Sequence, residues 1–199
     1  MHKEIENSTI TLASKVTIIR ILSVPLFILL LIYYFLSLRR GEPDETFRMY
    51  GLIIFLGVAL TDALDGYLAR SRNEITKLGC ILDPLADKLL LLSALILLTR
   101  PNLPELQPQF PVAFTLLVLS RDVVIAVGAA IVHALHGRVE VSPRIMGKLS
   151  TAFQMIAIVW VLAPFPDTYF REIIWATGIF TFISGVQYLF DGFKQFDGI

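Results

Sequence analysis

Thr61-Asp62-Ala63-Leu64-Asp65-Gly66-Tyr67-Leu68-Ala69-Arg70 and, eight residues further on, Gly79-Cys80-Ile81-Leu82-Asp83-Pro84-Leu85-Ala86-Asp87-Lys88 set four carboxylates between two strongly apolar runs. Acidic groups at membrane depth are costly, and their default reading is a functional site. Asp62 and Asp65 are three apart and Asp83 and Asp87 four apart, so on helices each pair shares a face. Two such faces meeting would form a four-carboxylate cup. Carboxylates that close do not all stay ionised without cations between them. Hard divalent ions with oxygen ligands, Mg²⁺ or Mn²⁺, suit such a donor set.

Working outward, the chain of 199 residues is 55% hydrophobic and only 17% charged, with a mean hydropathy of +0.70. That profile excludes an ordinary soluble domain and fits an all-α, polytopic membrane protein. A net charge of zero gives no basis for nucleic-acid binding, and none is expected. The single cysteine, Cys80, excludes an internal disulfide and a cysteine-rich metal site. It reads as a small buried apolar residue.

Six apolar runs, at roughly 16–38, 49–69, 80–99, 110–136, 149–166 and 172–192, are each near the length a helix needs to cross a bilayer. Six transmembrane helices are therefore expected, in one domain over 1–199. The first run lacks a small-residue cleavage site and reads as a retained span. Proline, glycine and charge break the chain between runs, as in Arg39-Arg40-Gly41-Glu42-Pro43 and Gly137-Arg138-Val139-Glu140. With the N-terminus inside, the inner side holds Lys3, Lys15, Arg70, Arg72, Lys77, Arg138, Arg144, Lys148 and Lys194. The outer side holds only Arg39, Arg40, Arg48, Arg100 and Arg171. This bias favours both termini and the acidic motif on the cytoplasmic side, with a bacterial-type inner membrane as the expected location.

Asp-x-x-Asp-Gly-x-x-Ala-Arg, eight residues, then Gly-x-x-x-Asp-x-x-x-Asp matches the signature of the CDP-alcohol phosphotransferase family at Asp62, Asp65, Gly66, Ala69, Arg70, Gly79, Asp83 and Asp87. The chain resembles that family over nearly its whole length, closest to its phosphatidylglycerophosphate synthases. The resemblance implies that the four aspartates bind two divalent cations, Mg²⁺ or Mn²⁺. It also implies that Asp87 serves as general base on an acceptor hydroxyl. The small residues Gly66, Ala69 and Gly79 leave room for a nucleotide beside the carboxylates. Arg70 offers a forked donor suited to phosphate. A lone intramembrane aspartate often only pairs with a basic residue to pack helices; four in register with both glycines and Arg70 do not fit that reading.

Three stretches outside the motif extend the resemblance. Ser14-x-x-Thr17-x-x-Arg20 is similar to an Asn-x-x-Thr-x-x-Arg stretch of phosphatidylglycerophosphate synthases, with Ser14 in place of Asn. Thr17 and Arg20 are candidate substrate-binding residues; the alternative for Arg20 is an interfacial side chain that snorkels to headgroups. Ser120-Arg121-Asp122 lies deep in the fourth run. Arg121 either reaches an acceptor phosphate or satisfies itself on Asp122. Gly147-Lys148-x-x-Thr151-x-x-Gln154 opens the fifth run, and Lys148, Thr151 and Gln154 are expected on one helical face, with Lys148 toward substrate. His133 and His136 read as non-catalytic, and Trp160, Trp175 and Tyr188 as interfacial or packing aromatics.

The resemblance thus implies a membrane transferase that uses CDP-diacylglycerol and an anionic alcohol acceptor among membrane lipids, as a homodimer. Glycerol 3-phosphate is the expected acceptor, giving phosphatidylglycerol phosphate and CMP. Phosphatidylglycerol, giving cardiolipin, is the alternative within the family. A cation transporter is the alternative from another class, and no inverted repeat supports it.

Overall fold

The computed structural model describes residues 12–72, 79–103, 105–136, 145–163 and 165–197; the side chains of 12–18, 62–72, 79–85, 129, 132–133, 135–136 and 191–197 lie outside that description. All regular structure among the described residues is helical. Six α-helices run in order: α1 (Leu12–Arg39), α2 (Glu45–Arg72), α3 (Gly79–Leu97), α4 (Val112–His136), α5 (Ile145–Leu162) and α6 (Phe170–Asp197). Each apolar run lies on one of them. By length and composition, three stretches among the described residues reach what a membrane crossing needs: Ile19–Arg39, Ile145–Leu162 and Asp167–Phe190. The other three helices carry charges inside their apolar runs, namely Asp62 and Asp65, then Asp83, Asp87 and Lys88, then Arg121 and Asp122.

Helix ends depart from the hydropathy runs where capping overrides apolarity. α2 starts at Glu45, ahead of the apolar run, because the Asp44 carboxylate accepts the Thr46 amide at 3.0 Å and caps the first turn. α1 closes with Gly41 at φ 77°. The amides of Gly41 and Glu42 return to the carbonyls of Leu38 (3.0 Å) and Ser37 (3.2 Å). This paired closure needs a left-handed residue, which glycine supplies without strain. α5 begins at Ile145 and includes the polar Gly147 and Lys148.

The chain divides into two compact units, 1–93 and 94–199, with the last turn of α3 in the second. In the first, α1 and α2 form an antiparallel hairpin. Its far end is buckled by Tyr34, Glu45 and Arg48. The Tyr34 hydroxyl donates to Glu45 at 3.2 Å, and the Arg48 guanidinium pairs with Glu45 at 3.2 Å and lies over the Tyr34 ring. Beyond this buckle the helices pack through Phe27, Leu31 and Phe55, all buried. Phe27 and Phe55 rings sit 6.1 Å apart. Gly51 faces this contact, and a Cβ there would meet Leu31 at an ordinary van der Waals distance of 3.5 Å.

In the second unit α6 packs against both α4 and α5. The connector after α3 is pinned by buried Leu103, Leu106 and Phe110. Phe110 stacks near Phe114 (5.5 Å) and Phe170 (5.8 Å). Between α5 and α6 runs a buried polar seam. Thr181 donates to the Thr177 carbonyl at 2.8 Å, so Ser150 is the donor in its 2.8 Å contact with Thr181. Gln154 in turn donates to Ser150 at 3.1 Å. Without water as competitor, such hydrogen bonds and the small residues that make them hold membrane helices together.

Candidate active site

α2 is helical through Asp62 and Asp65, and α3 through Asp83 and Asp87. The helical register that the spacing presupposes is therefore in place on both elements. The side chains of Thr17, Asp62, Asp65, Gly66, Ala69, Arg70, Gly79 and Asp83 lie outside the described residues. Asp87 is described, and it anchors the site. Its carboxylate is one-third exposed, and Oδ1 lies 3.3 Å from Nε of Arg20, whose side chain is only 3% exposed. The contact joins α1 to α3 within the first unit.

That contact gives the Arg20 side chain a carboxylate neighbour. A snorkelling arginine would end at the surface with its head solvated. Arg20 is instead buried next to the motif's last carboxylate. Burying a guanidinium is tolerable only with an anion at hand, and Asp87 supplies one. One carboxylate oxygen of Asp87 thus faces Arg20. An all-oxygen, anionic donor set at i, i+3 and i, i+4 spacing fits a hard divalent ion.

The second unit holds the other candidate cations. Arg121 donates to Asp122 at 2.7 Å and to Ser184 at 2.9 Å. Its guanidinium carbon stands 5.8 Å from the Tyr188 ring centroid. Nε of Arg121 is buried and has no hydrogen-bond partner among the described residues. The Arg121–Asp122 pairing weighed from the sequence is therefore present. Gly147 makes this seat possible, because a Cβ there would come within 3.2 Å of Arg121 Nη2. Tyr188, read from sequence as a packing aromatic, faces that cation instead.

Lys148 is exposed on α5, whereas Gln154 is buried and tied to α6. The common face expected for Lys148, Thr151 and Gln154 does not form. Six residues at about 100° per residue carry Gln154 roughly 120° around the helix from Lys148. Thr151 lies between them and donates to its own helix at Gly147, 3.1 Å away.

Sequence reasoning missed Ser184 and the Tyr34–Glu45–Arg48 buckle. A signal for the first was available. Thr177, Thr181 and Ser184 recur at i, i+4 and i+7 along an otherwise apolar helix and are all fully buried, the pattern of a polar stripe turned inward.

Comparison with known proteins places these residues in context. The CDP-alcohol phosphatidyltransferase family model matches residues 10–183, spanning both units. A protein of Bacillus subtilis (strain 168) named CDP-diacylglycerol–glycerol-3-phosphate 3-phosphatidyltransferase is 33% identical over 190 residues, covering 89% of this chain and 92% of that protein. Proteins of the same name from Wigglesworthia glossinidia brevipalpis and Haemophilus influenzae are 30% and 29% identical. Those alignments cover 90% and 87% of this chain, and 93% and 88% of the respective relatives.

Proposed function

This chain belongs to the CDP-alcohol phosphatidyltransferase family, and from that premise we propose that it transfers the phosphatidyl group of CDP-diacylglycerol to glycerol 3-phosphate. The observation that carries the reading is the full motif on two continuous helices, with its last carboxylate held by Arg20. The relatives bearing this activity in their names align over most of their own length.

In the proposed reaction the acceptor hydroxyl oxygen bonds to the β-phosphorus of the donor. The bond from that phosphorus to the bridging oxygen breaks, and CMP leaves with the electron pair. The hydroxyl proton passes to Asp87. Such transfers depend chiefly on positioning and charge stabilisation. Asp62, Asp65, Asp83 and Asp87 would hold divalent cations, Mg²⁺ or Mn²⁺. Ions held there would supply positive charge against the diphosphate and the departing phosphate. Arg70 serves donor phosphate. Gly66, Ala69 and Gly79 keep the backbone open to the nucleotide, and Thr17 lines the donor side. Arg121 and Lys148 serve the anionic acceptor. The whole chain acts as one catalytic domain and as a homodimer, with both termini and the site facing the cytoplasm, a reading supported by the lysine and arginine bias.

The test is CMP release by purified protein supplied with CDP-diacylglycerol and Mg²⁺ or Mn²⁺. Release that depends on glycerol 3-phosphate, stops with EDTA and returns with either ion supports the reading. Release that depends on phosphatidylglycerol instead would assign the cardiolipin-forming reaction. No CMP release under any condition would reopen the transporter alternative.

A further inference from the structure

We propose that the corner joining α5 to α6 is an anchoring surface for the interfacial zone of a lipid bilayer, where headgroups give way to hydrocarbon. The helices it joins are both long and apolar enough to cross a membrane, over Ile145–Leu162 and Asp167–Phe190. A corner between two such stretches meets the bilayer boundary by connectivity alone. The structure adds how its side chains are turned.

α6 is polar inside and apolar outside. Thr177, Thr181 and Ser184 are fully buried, whereas Trp175, Ile179 and Phe182 are 69%, 55% and 61% exposed. The exposed three follow exposed Arg171 at i+4, i+8 and i+11, which keeps all four within about 80° of one another around the helix. An apolar face of this kind, with the polar residues turned inward, suits lipid rather than water. Along it the polarity falls in the order that a leaflet presents. A guanidinium comes first, then an indole, then two hydrocarbon side chains. After Glu172 no charged residue follows up to Phe190.

The corner presents its rings from a fixed turn. Phe170 is buried, with its ring 5.8 Å from that of Phe110. Trp160 donates its indole N–H to the Pro166 carbonyl at 3.1 Å, and its ring lies 4.9 Å from that of Phe165. These ties bracket the turn and leave Phe165 and Tyr169 48% and 62% exposed. Tryptophan and tyrosine join an apolar ring to a polar tip and concentrate at membrane boundaries. Asp167, Arg171 and Glu172 stand exposed in the same corner. Their charges are costly at hydrocarbon depth and limit how far the turn can sink. Anchored there, α5 and α6 are held at one height in the bilayer, and Lys148, twelve residues from Trp160, lies about 18 Å along α5 from the anchor. The inference stands whichever reaction the site performs.

The chain has two tryptophans, Trp160 and Trp175, and both belong to this corner. The test is fluorescence quenching of the full chain in phosphatidylcholine vesicles brominated on one acyl chain, either near the glycerol or near the methyl end. Trp160→Phe leaves Trp175 as the sole tryptophan, and Trp175→Phe leaves Trp160. Each should be quenched more by the shallow bromines than by the deep ones, and little by aqueous iodide. Adding Phe182→Trp to a chain with both replacements moves the reporter seven residues along the same face, about 10 Å deeper, and the order should reverse. If that variant does not fold, Ile179→Trp in the same background should shift the balance toward the deep bromines. Stronger quenching of the natural tryptophans by the deep bromines would overturn the proposal by placing the corner within the hydrocarbon. Quenching by iodide alone would overturn it by placing the corner in water, and quenching by neither would do so by showing it covered by protein.

Discussion

Nε of Arg20 and Oδ1 of Asp87 face each other at 3.3 Å, and the arginine is almost fully buried while the aspartate is not. The pairing binds the first helix to the last carboxylate of the motif. In the proposed reaction it would orient a group that meets both a cation and a hydroxyl. In that arrangement Arg20 acts through Asp87, as an outer partner acts on a ligand it aligns.

Arg20→Gln should therefore lower kcat by about 10- to 100-fold, the usual cost of losing such a partner. Michaelis constants for donor and acceptor should stay within about twofold. Arg20→Lys, which keeps the charge but not the fork, should recover part of the rate. Steady-state kinetics on the three proteins decide the point. A rise confined to the donor constant, with kcat intact, would instead make Arg20 a phosphate ligand.

Asp87→Asn should cost at least ~10²–10⁴ in turnover, the range for removal of a general base. The variant should elute from size exclusion in detergent as the parent does. Wild-type turnover in this protein would remove Asp87 from the chemistry.

Lys148→Ala should raise the acceptor constant by roughly 5- to 20-fold and leave the donor constant unchanged, since losing a phosphate contact removes ground-state binding. The side chain is exposed, so its removal does not threaten the helix. Arg121→Ala is expected to behave differently. It removes the guanidinium 2.7 Å from the Asp122 carboxylate, a side chain only 13% exposed, and should lower thermal stability in detergent before any kinetic effect is read. An unchanged acceptor constant in Lys148→Ala would take that residue out of the site.

Much of the fold was legible because hydrophobic length and breakers act locally. Each apolar run corresponds to one helix, and the early start at Glu45 follows from the Asp44 cap rather than from hydropathy. The motif was legible because its spacing is set by helix geometry. What sequence did not reveal depends on pairings between distant positions. Arg20 was read with its neighbour Thr17, yet its partner is 67 positions away at Asp87. Gln154 was grouped with Lys148 by spacing, and tertiary packing against Thr181 settled its direction instead. Tyr188 carries no local mark that distinguishes a lipid-facing ring from one stacked on a guanidinium.

The seat of Arg121 has a consequence for how the chain is made. Its two hydrogen-bonding partners among the described residues are separated in time of synthesis. Asp122 is the next residue to leave the ribosome, whereas Ser184 follows 63 residues later. When α4 first meets the bilayer, its guanidinium already has a counter-charge, though α6 does not yet exist. Asp122 thus acts as a travelling companion for a cation whose permanent berth arrives last. In Asp122→Asn, nascent chains halted before α6 should insert α4 less efficiently, and chains carried past Ser184 should recover. Glycosylation mapping of such halted chains measures both stages.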